Sequence, residues 1–106
     1  MCKKQYKKTL IMSKNPTNSK GIKITTNGVS EIVTFKTEFV SLKEMQEIVG
    51  GYVEFVYLPD NLIMVVNEEG KINNLPVNDY INLIYFKIIN DIIVGDILLI
   101  HNKYVN

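Results

Sequence analysis

The tightest constraint on the fold is an eight-residue stretch that writes its own boundaries. Ser41-Leu42-Lys43-Glu44 is a capping box, in which the serine oxygen and the glutamate carboxylate each take one backbone N–H that a helix start leaves without a partner. Val40 before the cap and Met45 four positions into the helix are spaced to form a hydrophobic staple. Leu42, Met45, Ile48 and Val49 recur at helical spacing, and Gly50 follows where a left-handed residue is wanted. A helix therefore occupies this stretch, and everything around it has to supply an apolar surface for one side of it.

The flanks read as strands. Ile22, Ile24 and Thr26 alternate with Lys23 and Thr25, and Ile32 and Val33 follow beyond Asn27-Gly28, which suits a type I′ turn with positive φ at both central residues. Strands are expected near 21–26 and 30–36. After Gly51, Tyr52–Leu58 is rich in aromatic and β-branched residues, Pro59-Asp60-Asn61 is a turn, and Leu62–Val66 returns as a strand buried on both faces. Asn67-Glu68-Glu69-Gly70-Lys71 reads as a solvent-facing turn. A second helix is expected over roughly 77–89, with Asn78 or Pro76 near its first turn. Ile81, Ile84, Tyr85 and Ile88 line one face of it, widened by Leu83 and Phe86, which predicts burial on more than one side. Asn90-Asp91 stops it, and a last strand, interrupted at Val94-Gly95-Asp96, runs through Ile97–Ile100. The fold class is α+β, an antiparallel sheet of about five strands with two helices in the order β-β-α-β-β-α-β.

Length allows one such domain, over 21–106, preceded by a mobile basic arm at 1–20 that holds six lysines and no acid. Tyr6 is the arm's one aromatic residue, so a strand-tracking nucleic-acid arm is disfavoured. The formal net charge is +1, and no arginine is present, so arginine fingers and Arg–guanine contacts are excluded. Cys2 is the single cysteine, which points to a reducing compartment. Leu10-Ile11-Met12 is too short for a signal peptide and Ile92 to Ile100 too short and too interrupted to cross a bilayer, so the expected location is cytoplasmic, with no membrane partner.

No constellation of side chains argues for catalysis. His101 is the one histidine, with no serine or cysteine near it in sequence. Glu68-Glu69 and the pair Asp91 and Asp96 lack anything that fixes them as a carboxylate pair or a magnesium site. Gly50-Gly51 follows a helix, whereas phosphate-binding glycines precede one. No catalytic residue, metal or cofactor is assigned, and the chain reads as non-enzymatic.

Three pieces in order resemble a known family. Gln46 with Val49-Gly50-Gly51, then Asn67-Glu68-Glu69-Gly70-Lys71 with Leu75-Pro76 and Asn78, then Ile93-Val94-Gly95-Asp96 are similar to the uncharacterised phage, prophage and plasmid proteins known as domain of unknown function 3846. The resemblance covers roughly 41–100. It departs after Asn78, where the family often carries small residues and this chain has Asp79-Tyr80-Ile81. The family transfers a genomic setting rather than an activity. That setting implies a viral or mobile-element accessory protein in the host bacterial cytoplasm, acting against immunity by non-covalent binding.

Two readings follow. In the first, the chain is a sponge that sequesters a small nucleotide-like immune signal through Gln46, Tyr52, Asn67, Lys71, Asn78 and Tyr80, as a homo-oligomer, because so short a chain leaves little room for a private pocket and clefts between subunits supply one. Asn78 is equally well read as a helix cap. Replacing Asn78 and Lys71 should then abolish binding with little change in melting temperature. In the alternative, a strand edge or the Glu68–Lys71 tip docks directly on a host defence protein such as a CRISPR nuclease.

Overall fold

The computed structural model describes residues 18–85 and 87–106. Most of the basic arm, with Cys2, Tyr6 and Met12, and the helix-widening Phe86 lie outside the described residues. At the end of that arm Ser19 is already enclosed. Its N–H and hydroxyl both donate to the Thr37 carbonyl, at 2.8 Å each, and its carbonyl accepts from Phe35 N–H. Ser19 and Lys20, assigned to the arm from the sequence, thus take part in the described fold.

Strand β1 is Lys20–Ile24, β2 Ser30–Thr34, α1 Leu42–Val49, β3 Val53–Leu58, β4 Leu62–Asn67, α2 Asp79–Tyr85 and β5 Ile97–His101, followed by a short 3-10 turn at Asn102–Tyr104. The strands form one antiparallel five-stranded sheet in the order β2-β1-β5-β4-β3. The expected architecture and element order hold. The sequence-late β5 enters the middle because its residues 97–100 are apolar on both faces, and β4 beside it is the same.

Alternation along these two strands divides the core in two. Ile63, Val65, Leu98 and Ile100 face α1, where Met45, Val49, Val40 and Phe35 cover them. Met64, Val66 and Ile97 face the other way, with Ile24, Leu58 and Ile93, and receive Ile81 from α2. The helices therefore lie on opposite faces of one sheet. Burial of β4 on both faces follows from its near-continuous apolar run.

Helix α1 is built as its sequence specifies. Ser41 Oγ accepts from Glu44 N–H at 3.1 Å, and the Glu44 carboxylate accepts from Ser41 N–H at 2.9 Å. Gly50 closes the helix at φ 83°, ψ 24°, its N–H bonded to the Gln46 carbonyl.

Three expectations need correction. The first hairpin is not a type I′ turn: only Gly28 has positive φ, and the Thr25 carbonyl accepts from Gly28 N–H while Thr25 N–H donates to the Val29 carbonyl. That is a three-residue loop closed by a left-handed glycine. Two consecutive left-handed residues occur instead at Asp60 and Asn61, at 64° and 62°, in the β3–β4 turn. Helix α2 ends at Tyr85 rather than near 89, where the N–H groups of Ile88 and Ile89 both turn back onto the Tyr85 carbonyl. It is also buried on one side only, since Leu83 is 73% exposed and Ile84 49%.

Candidate functional site

The residues that link α1 to β3 and the tip after β4 enclose an open hollow of about 410 Å³. It is lined by Lys43, Gln46 and Glu47 of α1, the Gly50-Gly51-Tyr52 link, and Asn67, Glu69 and Asn73. The Schellman-like close of α1 shapes it: both Gly50 and Gly51 N–H groups bond to the Gln46 carbonyl, so the chain reverses within two residues. Tyr52 then stands 63% exposed at the rim. A side chain at Gly51 would place its Cβ 3.0 Å from Asn67 Nδ2, so the glycine keeps this wall thin.

Asn67 is the post of that wall. Its Nδ2 donates to the Val49 carbonyl at 3.1 Å, and its Oδ1 accepts from Glu69 N–H at 2.8 Å, so one buried amide ties the end of α1 to the tip. Charge around the hollow consists of Lys43 against Glu47 and Glu69, and the carbonyl end of α1 adds partial negative charge. A neutral, planar, hydrogen-bonding group suits this lining better than a bare phosphate. The Tyr52 ring offers a stacking face, and the Gln46 and Asn73 amides offer both donors and acceptors.

Of the six residues expected at a ligand, the structure gathers Gln46, Tyr52 and Asn67 here. Lys71 borders a neighbouring hollow of about 350 Å³, shared with Asn67 and lined also by Glu54, Glu68, Asp91, Ile72 and Ile92. Its ammonium is ion-paired with Asp91. That pairing and the Ile92 N–H hold the Asp91 carboxyl below the usual carboxylate range.

Asn78 lies away from both hollows and is fully buried. Its Nδ2 donates to the carbonyls of Ile24 at 3.1 Å and Gly95 at 3.0 Å, and its Oδ1 accepts from Ile81 N–H at 3.2 Å. It is the cap of α2 and a clasp to β1, the alternative weighed from the sequence. The expected binding-only effect of replacing it is corrected accordingly: a side chain with three internal bonds is not removable without unfolding cost. Tyr80, 46% exposed on α2, lines neither hollow.

Sequence reasoning missed Lys43, Glu47, Glu69 and Asn73 as lining residues. Lys43 was legible as an i, i+3 neighbour of Gln46 on α1, and Glu47 as an i, i+4 neighbour of Lys43. Glu69 and Asn73 depend on how the tip folds back.

The residues set aside for catalysis have structural partners. Asp96 Oδ1 accepts from Thr26 N–H at 3.1 Å and pins the first hairpin loop, and His101 Nδ1 accepts from Lys103 N–H. Among the described residues no group of three or more His, Cys, Asp or Glu side chains is placed to hold a metal ion, and no helix is long and apolar enough to cross a membrane.

One family model, described as a domain of unknown function (DUF3846), matches residues 19–104. No curated protein and no solved structure matches the chain.

Proposed function

The chain belongs to the DUF3846 family across nearly all of its described fold, and from that premise we propose that it is a non-enzymatic binding protein of a phage or other mobile element. It counters bacterial immunity in the host cytoplasm by sequestering a small nucleotide-like signal. The observation that carries this reading is the exposed Tyr52 ring beside the Gln46 amide at a hollow of about 410 Å³. Clefts of roughly 300–1,000 Å³ accommodate small organic ligands. The base and sugar of the ligand occupy the hollow, and its phosphates point outward past Lys43, away from Glu47 and Glu69.

Native mass spectrometry tests it on the purified full chain, before and after incubation with small-molecule extract from defence-activated bacteria. A gain of a few hundred daltons per chain, lost in Tyr52→Ala and Gln46→Ala with unchanged melting temperatures, is the expected result. Retained binding in both variants removes the site assignment.

A second reading is favoured by a separate observation, the exposed apolar side chains of Tyr80, Leu83 and Ile84 on α2. In that reading the chain inhibits a host defence protein, such as a CRISPR nuclease, by covering its surface. A stoichiometric complex with a defence effector that is lost in Leu83→Asp, with no small ligand bound, would displace the first reading.

A further inference from the structure

Edge strand β2 has a hydrogen-bonding phase and a side-chain pattern that complement themselves. Thr25 N–H donates to the Val29 carbonyl and Phe35 N–H to the Ser19 carbonyl, so the odd-numbered residues of β2 spend their backbone groups on β1. Antiparallel ladders alternate, which turns the N–H and C=O groups of Ser30, Ile32 and Thr34 outward. Among the described residues no strand lies beyond β2. The strand also lacks the usual protections of an edge: it has no proline and no lysine, and its one charge, Glu31, belongs to the inward-bonded set.

The side chains add a second argument. Ile32, Ile22, Leu99, Met64 and Val56 stand opposite one another in a single row across all five strands. Met64 at the covered part of this row is fully buried, whereas Ile22 is 42% and Ile32 75% exposed at the open end. The outer strand at the other edge differs, because the residue that ends the row there, Val56, is packed against the α2-side core.

We propose that β2 pairs antiparallel with β2 of a second copy of this chain, about a two-fold axis through Ile32, so that two sheets join into one of ten strands. In this register Ile32 exchanges both backbone bonds with its counterpart, and Ser30 does so with Thr34 of the second copy. Glu31 then faces Val33 of the second copy rather than another carboxylate, whereas centring the axis on Glu31 would oppose like charges. The apolar row continues unbroken through Ile32 and Ile22 of both copies. No residue of β2 lines the Tyr52 hollow, so each dimer presents two open hollows, and the dimer stands or falls independently of the ligand reading.

Sedimentation equilibrium of the full chain tests the proposal. The expected mass is twice the 12.2 kDa of one chain, returning to a single chain in both Ile32→Pro and Ile32→Lys. Proline is tolerated there because the Ile32 N–H points away from β1 and meets no strand among the described residues, and circular dichroism verifies that each variant stays folded; the lysine variant decides alone if the proline variant unfolds. Register is read by oxidising Ile32→Cys in a Cys2→Ser background, since directly bonded partners have Cα atoms about 5.5 Å apart, within disulfide reach. A covalent dimer from Ile32→Cys and none from Glu31→Cys is expected. A wild-type chain of single mass at millimolar concentration overturns the proposal, and so does a dimer that survives Ile32→Lys. A single-mass chain whose Ile32 amide is protected from hydrogen exchange overturns it in favour of another segment of the same chain on that edge.

Discussion

Asn78 donates to the carbonyls of Ile24, at the end of β1, and of Gly95, in the segment before β5, while accepting from the first turn of α2. Truncation removes a donor from two buried carbonyls and the acceptor from one helix N–H. Asn78→Ala should therefore cost about 2–3 kcal/mol, a cap loss plus unsatisfied buried groups. A urea midpoint within experimental error of the wild type would show that water replaces the amide. Gly21 makes a different demand. A Cβ there would lie 2.6 Å from Ile100 Cγ2, 2.8 Å from Leu98 Cδ1 and 2.9 Å from the Leu99 backbone oxygen. The two methyls can shift but the backbone oxygen cannot, so Gly21→Ala should destabilise by about 1–3 kcal/mol, against the gain that Gly→Ala often gives. The cap role of Asn78 was readable because its partners include its own helix. Gly21 was not readable, since the strand that crowds it lies nearly eighty residues later. The same divide runs through the candidate site: Gln46 and Tyr52 flank one helix end and were found, whereas Asn73 reaches the hollow only through the fold of the tip.

Helix α1 stands on its local signals and should fail through them. Ser41→Ala removes the acceptor for Glu44 N–H and should cost about 1 kcal/mol, measured by thermal or urea unfolding; no loss would mean that the Val40–Met45 staple alone fixes the start. The tip after β4 is clasped to the segment after α2 by Lys71 and Asp91, both side chains exposed. Because the folded-state carboxyl is held below its unfolded value, the clasp's contribution is complete above about pH 4. It is lost as pH falls through the lowered value. In Lys71→Met the Asp91 carboxyl should titrate higher by NMR, and stability should depend less on pH in that acidic window. An unshifted titration would show that solvent, not Lys71, holds the charge. These elements differ in legibility for a physical reason. The strands, α1 and the turn at 59–61 carry boundary residues whose chemistry is local. Helix α2 was drawn too long because Ile88 continues the apolar period of Ile81, Ile84 and Tyr85 beyond Tyr85. Periodicity reports where apolar residues would align, and here much of that alignment faces outward rather than into the core.

Across the whole molecule the two faces of the sheet are covered unequally. The α1 face is closed by Met45, Val49, Val40 and Phe35, with Tyr104 and Val105 from the C-terminal turn packed against it. Among the described residues, α2 sends one fully buried side chain, Ile81, into the other face, with Tyr85 and Ile89 partly buried. The rest of its attachment among the described residues is polar: Asn78 to β1, and Asn82 through two bonds to the Ile93 backbone and one to the Asn78 carbonyl. Such a unit opens before the sheet does, because few apolar contacts must break to release it. Native-state hydrogen exchange should therefore protect β4 and β5 up to the global unfolding free energy, with α2 and the segment to Asp96 exchanging at a fraction of it. Asn78→Ala should lower the opening free energy of that segment further while leaving the ranking of α1 and β4 intact. Equal protection of α2 and β4 would mean that the hydrogen bonds from Asn78 Nδ2 to the Ile24 and Gly95 carbonyls couple the helix to the sheet as firmly as a packed core does, and the molecule would then unfold as one unit.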